Sequence, residues 1–238
     1  VRADPRPAGR DFEARDLIEV MEEAVNYNRF LIAELARWAA GLRRVLDFGA
    51  GNGRFAVALR ERGLDVTAVE PDALLRDSIG ARGVPTAASL DELGERRFDG
   101  VYSVNVLEHL PDDAAVLAGF RARLAPGGRV LLYVPAFPVL FSANDRRVGH
   151  LRRYRRGELV ERVRGAGLAV ESARYVDALG FAAGLAYRFL GRRDGGLDPR
   201  QVRLYDAAVF PLSRLLDRAC DRLFGKNLLV VASAPRER

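Results

Sequence analysis

Among its 238 residues the chain has one cysteine, Cys220, one lysine, Lys226, one methionine and one tryptophan. A single thiol excludes an intramolecular disulfide and any zinc centre built on several cysteines. Only two histidines are present, His109 and His150, so imidazole chemistry is confined to two positions. No run reaches the roughly 18 consecutive apolar residues of a membrane span. No basic start leads into an apolar stretch, so no secretory leader is expected, and a soluble, cytoplasmic protein is the default. The scarcity of lysine leaves arginine to carry the positive charge, and 38 basic against 32 acidic residues give a net charge of +6 and a pI near 10.0. That balance reflects either composition or a taste for anions: nucleic acid, anionic lipid or a phosphorylated substrate. With 49% hydrophobic residues the chain can bury a core as one domain with additions.

What is present is a glycine-rich run, RVLDFGAGNGR, from Arg44 to Arg54. An apolar strand turning through bare backbone into a helix is how an α/β protein receives a cofactor. Glycines fall at 49, 51 and 53, and position 54 is arginine, where the dinucleotide fingerprint needs a small residue. No Gly-Lys-Ser/Thr follows, so a phosphate-binding P-loop is excluded too. Glu70 closes the next apolar run, 21 residues after Gly49. That is close to the roughly 20-residue offset at which an acid accepts from a ribose diol, and a carboxylate has two oxygens for two hydroxyls. A close-approach loop with a ribose acid and no pyrophosphate device describes a nucleoside cofactor without phosphate, and S-adenosylmethionine is the candidate.

Apolar runs at 44–48, 65–70, 85–88, 98–103 and 129–134 predict strands. Segments 54–62, 72–82 and 112–124 predict helices closed by Gly63, Gly83 and Pro126-Gly127-Gly128. This alternation argues for a parallel sheet with right-handed crossovers. Residues 1–15 are expected to be disordered and 16–238 to form one domain. Apolar positions over 16–40 recur at helical spacing, with Asn26-Tyr27-Asn28 dividing them into two helices or a kink. After a loop at 191–199, residues 202–224 predict an amphipathic helix or helix pair interrupted by Pro211.

The blocks VLDFGAGNG, VTAVEP, FDGVYSVNVLEHL and LAPGGRVLLYVP, in this order, resemble the successive motifs of the class I S-adenosylmethionine-dependent methyltransferases, in the small-molecule, type 11/12-like branch. The resemblance runs from about residue 27 to 175, with a last strand at 227–233. It implies an α/β fold: a Rossmann-like, doubly wound seven-stranded sheet whose last strand is antiparallel. The additions are an N-terminal helical lid over 16–40, a substrate-binding insertion at 137–158 and a helical insertion at 178–226. S-adenosylmethionine as cofactor, leaving S-adenosylhomocysteine, is implied with it.

The resemblance also assigns positions. Asp47, Gly49, Ala50 and Gly51 would meet the amino-acid part of the cofactor, and Glu70 the ribose, with Pro71 shaping the turn. Ser89 and Leu90 would edge the adenine, without the acid often found there, and Asn105 and Val106 would pass beneath the methionine portion. Tyr27 would cover the cofactor and face the acceptor. After the fifth strand, NDRRVGHLRRYRRGE carries six arginines between 146 and 156. Guanidinium forks suit phosphate or carboxylate, so Arg153 and Tyr154, with Phe137 and His109, are expected at the acceptor. An alcohol acceptor must lose a proton as it attacks, and imidazole suits that task at neutral pH. His150 is the expected general base, with Asp145 as its orienting partner or substitute. No His/Asp/Glu spacing declares a metal, and none is expected.

The expected function is O-methylation of a small-molecule hydroxyl, on a saccharide or glycoconjugate, with an anionic or lipid-linked carrier. N- or C-methylation of a secondary metabolite is the alternative within the class. RNA methylation is disfavoured because SVNVLEH stands where a base-clamping Asn-Pro-Pro-Tyr-type motif belongs, so nucleic acid is not the expected partner. A non-catalytic cofactor-binding subunit is the alternative outside the class. The helical insertion could dimerise, cover an apolar acceptor or touch a membrane surface, and monomer and homodimer both stay open.

Overall fold

The computed structural model of the protein describes residues 20–190, 196 and 198–236. The tail expected over 1–15 and most of the loop expected over 191–199 lie outside the described residues. Strands β1 (Arg44–Phe48), β2 (Asp65–Val69), β3 (Thr86–Ala87), β4 (Phe98–Val104), β5 (Leu124–Pro135), β6 (Ala169–Val176) and β7 (Asn227–Ser233) form one sheet in the order β3-β2-β1-β4-β5-β7-β6. All pairings are parallel except those of β7, which runs antiparallel to both β5 and β6. This is the Rossmann-like order with an antiparallel last strand. Chain order reverses between β1 and β4, which opens a crevice at their carboxyl ends.

Helices cover both faces: α1 (Val25–Trp38), α2 (Arg54–Arg60) and α3 (Ala73–Ala81) on one, α4 (Asp113–Arg123) and α6 (Arg156–Gly165) on the other. Side chains alternate across the sheet, so Val130, Leu132 and Val134 join Phe120, Leu159 and Val163, while Leu131 and Tyr133 join Leu31, Leu35 and Trp38. Burying each such aliphatic or aromatic group stabilises the fold by about 1.5–3 kcal/mol. Aspartates start the helices flanking the crevice. Asp72 accepts from Leu74 N and Leu75 N, and Asp112 from Ala115 N. A short helix, α5 (Ala143–Arg147), lies in the segment after β5.

Three boundaries differ from expectation. The N-terminal break falls at Glu23-Ala24, and Asn26-Tyr27-Asn28 lies inside the first turn of α1. Strand β5 begins at Leu124 and runs through Pro126-Gly127-Gly128, because a bulge opposite Phe98–Gly100 absorbs the extra residues. Pro211 does not interrupt its helix. Segments α8 (Pro199–Leu204) and α9 (Phe210–Cys220) are joined by a π-helical turn, Tyr205–Val209. The wider turn accommodates a residue that lacks an N–H and crowds the preceding turn.

The continuous helix 199–220 turns polar groups inward and leucines outward. Its buried Asp206 accepts from Asn26 N and Tyr27 N, both at 2.8 Å, and so caps α1 from 180 positions away. Its buried Asp217 accepts from Asp177 N at 3.0 Å and Ala178 N at 2.8 Å, at the start of α7 (Ala178–Leu190). Ser213 Oγ accepts from Leu179 N at 2.9 Å. Helix N-termini leave amide donors without partners, and these side chains meet that need for two helices at once. Replacing Asp206 with alanine should lower unfolding stability by about 1–3 kcal/mol, read as a lower urea midpoint at unchanged slope. An unshifted midpoint would mean that water caps α1 equally well.

Candidate active site

The glycine loop leaves β1 with Gly49, Gly51 and Gly53 all at positive φ, +78°, +55° and +71°. A side chain on Gly49 would also bring its Cβ within 2.4 Å of Val106 Cγ2, so two requirements fix glycine there. Gly49 N and Ala50 N donate to Val69 O at 2.8 and 3.1 Å, tying the loop to β2. Glu70, buried at the end of β2, accepts from Gly51 N at 2.8 Å with Oε2 and from Asp72 N at 3.0 Å with Oε1. Each oxygen can accept more than one bond, so this carboxylate shapes the loop from a position that also edges the crevice. Pro71 follows it, its carbonyl accepting from Arg76. Ser89 and Leu90 lie beyond the short β3, where Leu90 packs against the core and its carbonyl accepts from Arg123.

Asp47 is buried immediately before the loop, and its Oδ2 has no hydrogen bond of good geometry among the described residues. Burial lifts its carboxyl to about 7, opposed by the adjacent Tyr102 hydroxyl and reinforced by the Glu70 charge. Asn105, at φ +54°, follows β4, and its Nδ2 lies 3.5 Å from the Tyr27 hydroxyl. Tyr27 meets Tyr133 and Phe210 edge-on, and desolvation lifts its hydroxyl to about 12. Tyr27, the segment after β4 and the start of the loop after β1 thus converge on one end of the sheet.

The second cluster is next to the first. Glu108 and His109 occupy the turn Leu107–His109 after Val106, and His150 comes from the segment after α5. His150 Nδ1 lies 2.7 Å from Asp145 Oδ1, and its Nε2 lies 3.6 Å from Glu108 Oε1. The His109 and His150 rings are 4.6 Å apart and nearly perpendicular. Fully buried Asp145 also accepts from Ser142 N, Ser142 Oγ and both Nε and Nη2 of Arg153, at 2.8 to 3.0 Å. Burial alone would raise its carboxyl, but His150 and Arg153 outweigh that and hold it well below the usual range. An ionised Asp145 is acceptor-only, so Nδ1 of His150 is the donor in this pair, which in the neutral imidazole leaves the lone pair on Nε2.

Two arginines of the arginine-rich stretch are tied to buried acids, while Arg146 and Arg155 stay exposed. Arg153 is committed to Asp145, and Arg152 pairs with Asp113 at 3.1 Å. Tyr154, expected at the acceptor, is fully buried, its hydroxyl donating to Asp113 Oδ2 at 2.7 Å and lying 3.2 Å from Leu107 O. Its backbone bridges Ala136, so pairing with the end of β5 turns this side chain into the core and away from the crevice. Arg153 and Tyr154 therefore frame the site instead of lining it. Phe137, at φ +59°, stacks on Tyr175 at 4.7 Å and meets Phe181 edge-on at 5.1 Å.

Glu108 has no place among the site residues expected from the sequence. It is fully buried, both carboxylate oxygens lack a hydrogen bond of good geometry among the described residues, and burial pushes it up to about 8. The available signal was an acid inside a short apolar run, Val106-Leu107-Glu108-His109-Leu110, directly after a central strand.

A family described as a methyltransferase domain matches residues 19–173. An uncharacterized methyltransferase of Mycobacterium tuberculosis is 36% identical over 127 residues, 52% of this chain and 49% of that protein. The ubiquinone biosynthesis O-methyltransferase of Pseudomonas aeruginosa is 32% identical over 133 residues, 52% of this chain and 55% of that protein. The matches thus span about half the length of these curated relatives. Among solved structures, a chain from the complex between the Haloferax volcanii Trm112 methyltransferase activator and a methyltransferase superposes with TM-score 0.65 at 19% identity, over 98% of this chain and 100% of that one. An S-adenosylmethionine-dependent methyltransferase of Archaeoglobus fulgidus gives TM-score 0.57 at 17% identity, over 87% and 94%. At such identities the likeness concerns the fold, and the strand order, the glycine loop and the family match agree: the chain belongs to the class I S-adenosylmethionine-dependent methyltransferases.

Proposed function

We propose that the protein transfers the methyl group of S-adenosylmethionine to a hydroxyl oxygen of a small molecule, a saccharide or glycoconjugate, with His150 as the proton acceptor. Family membership brings S-adenosylmethionine as the cofactor, and the residues fit it. The loop after β1 allows close backbone approach, Glu70 offers carboxylate oxygens at the ribose distance along the chain, and buried Asp47 has an oxygen in need of a donor such as an ammonium. Bound there, the cofactor supplies a methyl group on a sulfonium: the acceptor oxygen forms the new C–O bond as the C–S bond breaks, and the electron pair stays with sulfur in S-adenosylhomocysteine.

The single observation that carries the reading is the His150–Asp145 pair, 2.7 Å apart and beside the segment that continues from Asn105-Val106. Asp145 fixes the tautomer and ring plane of His150, and Nε2 is thereby positioned to take the hydroxyl proton where no ion intervenes. Tyr27, edge-on to Tyr133 and Phe210, and Phe137, stacked on Tyr175, would limit water beside the acceptor, so that orientation and desolvation would add to proton removal. Similarity to O-methyltransferases supports oxygen as the atom methylated.

A lipid-linked acceptor is favoured by the outer face of helix 199–220 and the turn after it. Leu204, Leu212, Leu215 and Leu223 are 54–68% exposed there, flanked by exposed Arg200, Arg203, Arg218 and Arg222. The acids Asp206 and Asp217 of the same helix face inward. An apolar stripe edged by cations suits an anionic bilayer surface, and no helix among the described residues is long and apolar enough to cross one.

Below pH about 7 Asp47 is neutral, and a cationic ligand favours its ionised form. S-adenosylmethionine affinity in calorimetry should therefore rise from pH 6 to 8, and Asp47→Asn should flatten that rise; an equal rise in both proteins would remove Asp47 from the site. His150→Ala should lower turnover by about 10²–10⁴ with cofactor affinity near normal, and a fully active variant would transfer the role elsewhere. The chain should sediment with phosphatidylglycerol vesicles and be released by salt. The double change Leu212→Glu and Leu215→Glu should abolish that sedimentation while methylation of soluble acceptors continues, and binding indifferent to both would reject the lipid surface.

A further inference from the structure

We propose that Glu108, His109 and His150 form a binding site for one divalent transition-metal ion of the zinc class, with Asp145 orienting His150 behind it. One ligand atom from each of the three residues lies within 4.8 Å of the others, the spread that a single ion can draw together. His150 Nε2 and Glu108 Oε1 are 3.6 Å apart, close to the separation of two ligands on one tetrahedral centre, about 3.4 Å for bonds near 2.1 Å.

A second observation points to a ligand. Glu108 is fully buried, yet neither of its oxygens has a hydrogen bond of good geometry among the described residues. Burying a carboxylate this way is costly unless a cation or donor completes it. The surrounding guanidinium groups are committed to other acids, Arg153 to Asp145 and Arg152 to Asp113. The Glu108 backbone is held as well, its carbonyl accepting from Leu151 N at 2.8 Å, which joins the two segments that carry the site.

The donor set selects the ion. Two imidazoles and one carboxylate suit zinc and its neighbours, whereas magnesium and calcium take oxygen ligands. Three protein ligands leave a fourth position open, the pattern of catalytic rather than structural zinc. Asp145 at Nδ1 of His150 is the carboxylate–histidine arrangement that fixes a metal-binding imidazole.

The inference rests on the reading of this cluster as the acceptor end of the site and changes one role within it. With the ion present, His150 Nε2 is a ligand, and the hydroxyl occupying the open position becomes acidic enough to lose its proton to solvent before it attacks.

The test uses the untagged full chain, stripped with chelator and titrated with Zn2+ or Co2+ in calorimetry and by proton NMR. Because the chain has only two histidines, the wild type alone is informative: both imidazole signals must shift together and saturate at one equivalent. Glu108→Gln and His109→Asn should each weaken binding at least tenfold, and Asp145→Asn by about 10- to 100-fold, with S-adenosylmethionine binding reporting that each variant is folded. No binding at 100-fold excess of ion over protein, a shift of one histidine alone, or affinity unchanged in Glu108→Gln would overturn the site. If the stripped enzyme is fully active and loses activity in His150→Ala, the role of the ion in proton removal falls and the general base stands. If His150→Ala is fully active, the base falls whatever the ion does.

Discussion

A buried carboxylate must find positive charge or hydrogen-bond donors, and the additions to this sheet are arranged around that requirement. Asp113 is matched by Arg152, Arg162 and Tyr154, and Asp145 by Ser142, His150 and Arg153. Glu34 is matched by Arg37 and Arg174. Asp206 and Asp217 are matched by the amide groups that open α1 and α7. Among the described residues, the buried carboxylate oxygens without a good hydrogen bond belong to Asp47 and Glu108. Both sit at the carboxyl edge of the central strands, one before the glycine loop and the other three residues after Asn105. A fold that satisfies its acids elsewhere leaves two unsatisfied at the edge proposed to receive cofactor and acceptor, and a cationic cofactor and a bound ion are the partners those positions would accept.

The same requirement explains the polarity of the long helix before β7. Capping two distant helices places Asp206, Ser213 and Asp217 on its inner side, at positions where a packed helix ordinarily puts leucine. The leucines are left outside, so the outward stripe follows from how α1 and α7 begin. This couples α1 to the insertion: Phe210 packs edge-on against both Tyr27 and Phe30, and Arg214 lies 4.0 Å over the Phe30 ring. A surface bound to the outer face of this helix would press on the element that holds Tyr27.

The sheet was legible in the chain because its signals are local. Alternating apolar runs and turn residues mark β1, β2 and β4, and the glycines and Glu70 mark the crevice through their spacing alone. The proposed acceptor end was legible only in part. His150 and Asp145 are five positions apart and could be paired from the chain, but Glu108 and His150 are separated by 42 positions and meet only once the segment after β5 folds back beside β4. No spacing rule carries such a pair. The arginine run misled for a related reason: a charge is read as exposed unless its partner is visible, and Asp113, which takes Arg152 and Arg162, lies at the start of α4. Tyr154 went the same way, because a parallel bridge to Ala136 decides its direction. The π-helical turn was hidden too, since Pro211 announces a problem for the helix without showing how it is solved.

Backbone conformation at the carboxyl edge serves the same convergence. The non-glycine residues with positive φ among the described residues are Asn105, Phe137 and Asp177, and they follow β4, β5 and β6 respectively. Such conformations cost on the order of 1 kcal/mol or more and persist only where the surroundings hold them. Each is held here: Asn105 N donates to Tyr133 O, Phe137 N to Tyr154 O, and Asp177 N to Asp217. In each case the sharp turn redirects the chain as it leaves the sheet, toward Glu108 and His109, toward α5 and His150, and toward α7. Without the turn at Asn105 the chain would continue away from the loop of β1, and without that at Phe137 the segment carrying Asp145 and His150 would not return across β4. The strain is therefore spent on bringing residues that follow separate strands to one edge, where the proposed chemistry would need them together.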